Sequence, residues 1–124
     1  MMAWQDTSKL LVAHPRFAWR DGMAVAVGNP FRPFVRLGSA SAAACNKGGV
    51  DVGEYPGLTD WATIGVLLGM LYMTSPWVSV QTDDPHLWCV SWCSDTEYPV
   101  WHSQESAWLG EAVALALLEV WGNE

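Results

Sequence analysis

Leu87-Trp88-Cys89-Val90-Ser91-Trp92-Cys93 (LWCVSWC) alternates without a break. In an extended chain Trp88, Val90 and Trp92 point to one face, and Leu87, Cys89, Ser91 and Cys93 to the other. The stretch therefore reads as a β-strand, and its neighbours read the same way. Trp77–Gln81 alternates before it, and a shorter strand, Tyr98–His102, follows, with Pro99 marking an edge. Turn chemistry separates them at Asp83-Asp84-Pro85 and Ser94-Asp95. Consecutive strands joined by short turns predict an antiparallel sheet.

Helices flank this group. Thr59 or Asp60 caps a helix over Trp61–Met73 that is apolar on nearly every side, which predicts cover on two sides. After the strands comes the clearest element, a helix from about Ser106 to Trp121. Nearer the start, Ser8 caps a short helix that Pro15 stops after His14. Gly22–Gly28 and Pro33–Leu37 form two strands around a turn at Asn29-Pro30. Residues 38–57 carry five glycines and no periodicity, and read as a flexible glycine-rich loop. The predicted order is α-ββ-α-βββ-α. It implies one α+β domain over residues 1–124, with a mainly antiparallel sheet of four or five strands packed by two main helices.

At 124 residues, half of them apolar and 15% charged, the chain can bury a core. Nine tryptophans are a heavy load, and some are expected at the surface. The N-terminus has no signal-peptide pattern, and Trp61–Met73 is too short to span a bilayer. Cys45, Cys89 and Cys93 make an odd number and a poor disulfide framework. The expectation is a cytoplasmic protein with no membrane contact.

Charge is distributed unevenly. Residues 1–47 hold all six cations with only Asp6 and Asp21, a local charge of +4; residues 48–124 hold eleven carboxylates and no Lys or Arg, a local charge of −11. A net −7 disfavours nucleic acid and anionic membrane and favours a partner with a basic groove. On the last helix one broad face carries Gly110, Val113, Ala114, Leu117, Leu118, Val120 and Trp121, a core face. The opposite arc carries Trp108, Glu111, Leu115 and Glu119 within roughly 80°, an acidic-aromatic stripe predicted to bind the partner. The N-terminal cations are expected to answer part of the acidic charge inside the fold.

Catalytic and metal chemistry find little footing. His86, Cys89, Cys93 and His102 follow no standard zinc spacing, and two cysteines four residues apart on one strand lie about 13 Å from each other. Cys45 lies in no nucleophile motif, and the Asp and Glu residues at turns suit local hydrogen bonding. Lys47–Gly57 lacks both nucleotide-binding glycine patterns. No enzyme, cofactor or metal is expected. Arg16, Trp19, Arg20 and Arg36, with nearby aromatics, give a second reading: a pocket for a small phosphorylated ligand such as a nucleotide signal.

Two stretches carry a resemblance. One is His14-Pro15-Arg16-Phe17-Ala18-Trp19-Arg20-Asp21-Gly22-Met23; the other runs from Asp60-Trp61-Ala62-Thr63-Ile64-Gly65-Val66-Leu67-Leu68 through the Trp/Val strands to Gly110-Glu111-Ala112-Val113-Ala114-Leu115-Ala116-Leu117-Leu118. Together they resemble small phage and prophage proteins of unknown function, some classed as a phage α-β-α sandwich domain. The resemblance implies a phage accessory protein and supplies no catalytic residues. The expected function is non-enzymatic: binding and inhibiting a host protein, as anti-defence and anti-CRISPR proteins do. Sequestration of a small ligand is the alternative. A virion structural or assembly role, with self-association into a homo-oligomer, is a further one.

Overall fold

A computed structural model describes residues 3–26, 34–49, 54–75, 77–84, 86–93 and 100–122. The elements are α1 (Trp4–Ala13), β1 (Ala24–Ala26), β2 (Phe34–Arg36), α2 (Ser39–Ala44), a π-helical turn (Cys45–Gly49), β3 (Tyr55–Pro56), α3 (Trp61–Thr74), β4 (Val78–Asp84), β5 (Leu87–Cys93), β6 (Trp101–Ser106) and α4 (Leu109–Gly122). The fold is a single α+β domain, and its element order roughly follows the expected one. The predicted turns at Asn29-Pro30 and Ser94-Asp95, and also Pro85 and Pro99, lie outside the described residues.

The strands divide differently from the expectation. They form two three-stranded sheets, β2-β1-β3 and β4-β5-β6, in place of one sheet of four or five. All pairings are antiparallel. β1 faces β2 through Ala24–Arg36, Val25–Val35 and Ala26–Phe34, and its other edge is taken by β3. β3 is two residues long, too short to show alternation. In the second sheet β5 occupies its predicted bounds. β4 runs past Gln81 to Asp84, with a register shift between Thr82 and Asp84. β6 starts at Trp101 and absorbs Ser106, which the sequence assigned to the last helix.

Residues 38–57 are not one loop. Ser39–Ala44 is helical and runs on into the π-helical turn. Alanine needs no amphipathic pattern to favour a helix, so periodicity alone missed the segment. The Ser41 hydroxyl accepts from the Gly38 N–H at 2.8 Å and anchors the first turn. Ser8 is also not a cap. It lies inside α1, buried, and its hydroxyl donates to the Pro56 carbonyl at 2.5 Å, tying α1 to β3.

α4 is the centre of the domain, packing against α1, α3, β5 and β6. Leu11 of α1, Leu67 and Leu71 of α3, Val90 of β5, and Val113 and Leu117 of α4 are fully buried. Each stabilises the fold by about 1.5–3 kcal/mol through the apolar surface it removes from water. Gly110 lets the start of α4 lie directly on the chain before α3: a Cβ there would come within 1.8 Å of the Leu58 carbonyl oxygen. α3 is covered on one side only. Thr63, Ile64, Leu67, Met70 and Leu71 are buried, while Trp61, Tyr72 and Met73 are exposed, contrary to the two-sided cover its composition suggested.

Candidate binding surface

α3 is positioned by its cap. The Asp60 carboxylate accepts from the Thr63 N–H at 2.9 Å and from the Thr63 hydroxyl at 2.8 Å. The same threonine oxygen accepts from the Ala24 N–H at 2.8 Å, which joins α3 to β1. Arg36 of β2 grips Asp60 with both guanidinium arms at 2.7 Å and donates to the Gly22 carbonyl at 2.8 Å. These bonds hold the Asp60 carboxyl below its usual range; the Arg36 hydrogen bond is the largest cause and partial burial opposes it.

α4 starts from a second set of bonds. The Trp108 N–H donates to the Ser106 hydroxyl at 3.1 Å, which donates to Glu111 at 2.6 Å. The Ala112 N–H returns to the Trp108 carbonyl at 3.1 Å. Trp108 thus sits at the turn from β6 into α4, and its indole points outward, 49% exposed.

The beginnings of α3, α4 and β5 meet at a notch of about 240 Å³. Trp61, Trp88 and Trp108 border it over a base of Leu58, Ile64 and Leu109. The Trp61 and Trp88 rings meet edge to face with centroids 6.5 Å apart, a favoured aromatic geometry. Trp61 is 68% exposed and belongs to a second feature as well. Trp61, Gly65, Gly69 and Tyr72 fall within roughly 80° on the outer side of α3. Among the described residues, nothing beyond the helix's own backbone and chain neighbours lies within 4 Å of where a Cβ on Gly65 or Gly69 would sit, so the two glycines leave a shallow open strip between the rings. Trp61 and Tyr72 are about 16 Å apart along the helix axis at 1.5 Å per residue. No residue of α3 is charged. Scattered apolar side chains are normal on a surface; clustered ones beside a three-tryptophan notch make this face the candidate binding surface.

Of the predicted acidic-aromatic stripe, only Trp108 stands at this surface. Glu111 is buried: it accepts from Thr7 of α1 at 3.0 Å and from Ser106 at 2.6 Å. Leu115 is half-buried. Glu119 accepts from Gln104 at 3.1 Å and lies 3.4 Å from His102, a link to β6. The stripe fails because α4 is covered by α1 and by the second sheet as well as by α3, so the arc opposite its core face is also packed. Trp61 and Trp88 complete the notch; in the sequence they belong to a helix expected to be buried and to a strand. The overlooked signal for Trp61 was its place directly after the cap residue, at an exposed helix start.

The second predicted set is split. Trp19 is buried, its ring edge-on to Phe17 at 5.2 Å and its backbone N–H donating to the Asn46 side-chain oxygen at 2.6 Å. Arg36 is committed to Asp60, so this one N-terminal cation answers acidic charge within the fold. Arg16 and Arg20 do come together, at a hollow by the far ends of α3 and α4.

Cys89 and Cys93 lie on one strand, four residues apart. Among the described residues no three His, Cys, Asp or Glu side chains converge as a metal site would require. Partial burial, and to a smaller degree Glu54, push the Cys45 thiol up, away from the thiolate a nucleophile needs. A further hollow of about 310 Å³ lies on the second sheet, where Ser79, Ser91 and Ser103 stand in one cross-strand row beside Trp101. No helix among the described residues is long and apolar enough to cross a membrane. Comparison of the chain with protein-family profiles, curated proteins and solved structures found no match.

Proposed function

We propose that this chain is a non-enzymatic binding protein that docks on a partner protein through the outer face of α3 and the Trp61–Trp88–Trp108 notch. One observation carries the reading: Trp61 and Trp108, 68% and 49% exposed, flank a hollow that opens onto an uncharged helix face. Exposed tryptophans cost solubility in the free protein and give it back in a complex, where such anchors dominate binding energy. The net charge of −7 would steer the chain to a basic groove and speed the encounter, while the tryptophans set the off-rate. With the resemblance to phage accessory proteins, the partner is a bacterial host protein and the outcome of docking is its inhibition.

The experiment is affinity capture from host lysate with wild-type chain and with Trp61→Ala, Trp108→Ala and Trp101→Ala variants, followed by titration of the captured protein across a salt series. One stoichiometric partner should be lost with Trp61→Ala and Trp108→Ala, be kept with Trp101→Ala on the second sheet, and bind more slowly as salt rises. Equal capture by all four chains would refute the surface, and salt-independent association would refute the steering.

A further inference from the structure

The outward face of the second sheet is built in cross-strand rows. Ser79 of β4 faces Ser91 of β5, which faces Ser103 of β6. One row along, Gln81, Cys89 and Glu105 pair in the same way. On the other side the Trp77 carbonyl accepts from the Cys93 N–H at 3.1 Å, and Cys93 faces Trp101. Side chains two residues apart on a strand share a face, so these three rows lie side by side. The hollow of about 310 Å³ lies over the serine row, beside Trp101 and Gln81. Trp77 and Trp101 are 53% and 60% exposed.

Solvation accounts for part of this face. One side of an antiparallel sheet ordinarily meets water, and serine suits that side. Two half-open indoles next to the serines do not follow from solvation. The fold also leaves the polar groups unused. Among the described residues the side chains of Ser79, Gln81 and Ser103 make no hydrogen bond, and the Ser91 hydroxyl meets Cys89 Sγ at 3.7 Å. His102 borders the hollow too, but its ring is stacked on Trp92 and lies against Glu119.

The chemistry of the lining selects a ligand class. Hydroxyls and an amide both donate and accept, so they match groups that do the same. Neighbouring strands stand about 4.8 Å apart, which spreads the three hydroxyls over about 10 Å. Residues 48–124 contain no Lys or Arg, so neither these strands nor any turn between them supplies a cation to an anionic ligand. The electron-rich face of an indole suits the polarised C–H groups of a sugar ring.

We infer that this face binds a neutral saccharide, its hydroxyls held by Ser79, Ser91, Ser103 and Gln81 and the C–H face of a ring laid on Trp101. At about 30 Å³ per water, 310 Å³ corresponds to about ten waters, the scale of one or two sugar rings. The face is separate from α3 and the tryptophan notch, and its occupancy does not depend on a protein partner.

The test uses the full chain with glucose, galactose, mannose, N-acetylglucosamine, maltose and cellobiose as probes, measured by ligand-observed NMR and calorimetry. Glycerol and inorganic phosphate are the controls. At least one sugar should bind at millimolar concentration. Glycerol, which has hydroxyls but no ring face, and phosphate, which meets no cation, should each bind about tenfold more weakly or not at all. Binding of a disaccharide without any monosaccharide assigns the face to sugar chains; binding of a monosaccharide assigns it to a single ring. Trp101→Ala should weaken the sugar about tenfold, and Trp101→Phe should restore part of the loss. Ser103→Ala, at an exposed position, should weaken it roughly three- to tenfold with the melting temperature unchanged. Trp61→Ala should leave it unaffected. The inference is overturned if no sugar of the panel binds, or if phosphate binds more tightly than every sugar. It is also overturned if Trp101→Ala and Ser103→Ala both bind as the wild type does.

Discussion

Arg36 and Asp60 form a two-pronged ion pair, Nη1 to Oδ2 and Nη2 to Oδ1, each at 2.7 Å. The pair joins the cation-bearing first part of the chain to the cation-free remainder, and does so at the residue that caps α3. It fixes the rotation of α3 and hence the direction in which Trp61 points.

Acid should weaken this link. The folded-state carboxyl of Asp60 titrates below its ordinary value of 3.8, mainly through the Arg36 hydrogen bond. Its contribution to stability is therefore complete above that value and is lost as pH falls through the lower folded one. Melting temperatures measured from pH 7 downward should show a decline below about pH 3.8. Asp60→Asn should flatten that part of the profile while still capping the helix; Asp60→Ala loses the cap as well and should cost about 1 kcal/mol or more at neutral pH.

Glu111 joins α1, β6 and α4 through Thr7 and Ser106. Glu111→Leu leaves both buried hydroxyls without this acceptor and should destabilise the fold by about 1–3 kcal/mol in chemical denaturation. Glu111→Gln keeps a carbonyl acceptor and should cost less than Glu111→Leu.

Two glycines should respond in opposite directions. Gly110→Ala drives a Cβ into the Leu58 carbonyl, which is backbone and cannot rotate away, and should cost about 1–3 kcal/mol. Gly65→Ala meets nothing within 4 Å and should stabilise the free protein by about 0.5–1 kcal/mol through helix propensity. The same methyl fills the strip on α3, so Gly65→Ala should weaken partner binding while raising the melting temperature.

Cys45 should alkylate slowly. With its thiol pushed up by burial and by Glu54, iodoacetamide at neutral pH should modify it more slowly than free cysteine, as read by mass spectrometry. Glu54→Gln should speed the reaction, since it removes the smaller of the two causes.

Local signals were legible where a single element suffices to express them. The alternation of 87–93 placed β5 at its observed bounds, and Thr59-Asp60 before an apolar run marked the start of α3, where Asp60 is the cap. Signals that need a partner were not. The helix wheel sorted α4 into a core face and an outer arc, but a wheel assumes that one side of a helix meets water. α4 has neighbours on several sides, so Glu111 on the outer arc became a buried hydrogen-bond centre. α3 erred the other way: nearly all apolar, it predicted cover on two sides, and Trp61, Tyr72 and Met73 are exposed.

By itself, the sequence determined the α+β class, the main helices, the rough order of elements and the charge asymmetry, because these follow from periodicity, capping and composition along the chain. The tertiary structure alone decided the division into two sheets, the burial of Glu111, the pairing of Arg36 with Asp60, and the meeting of Trp61, Trp88 and Trp108. Each of these depends on residues far apart in the chain becoming neighbours (Thr7 and Glu111 are 104 positions apart), and no local pattern encodes such a distance.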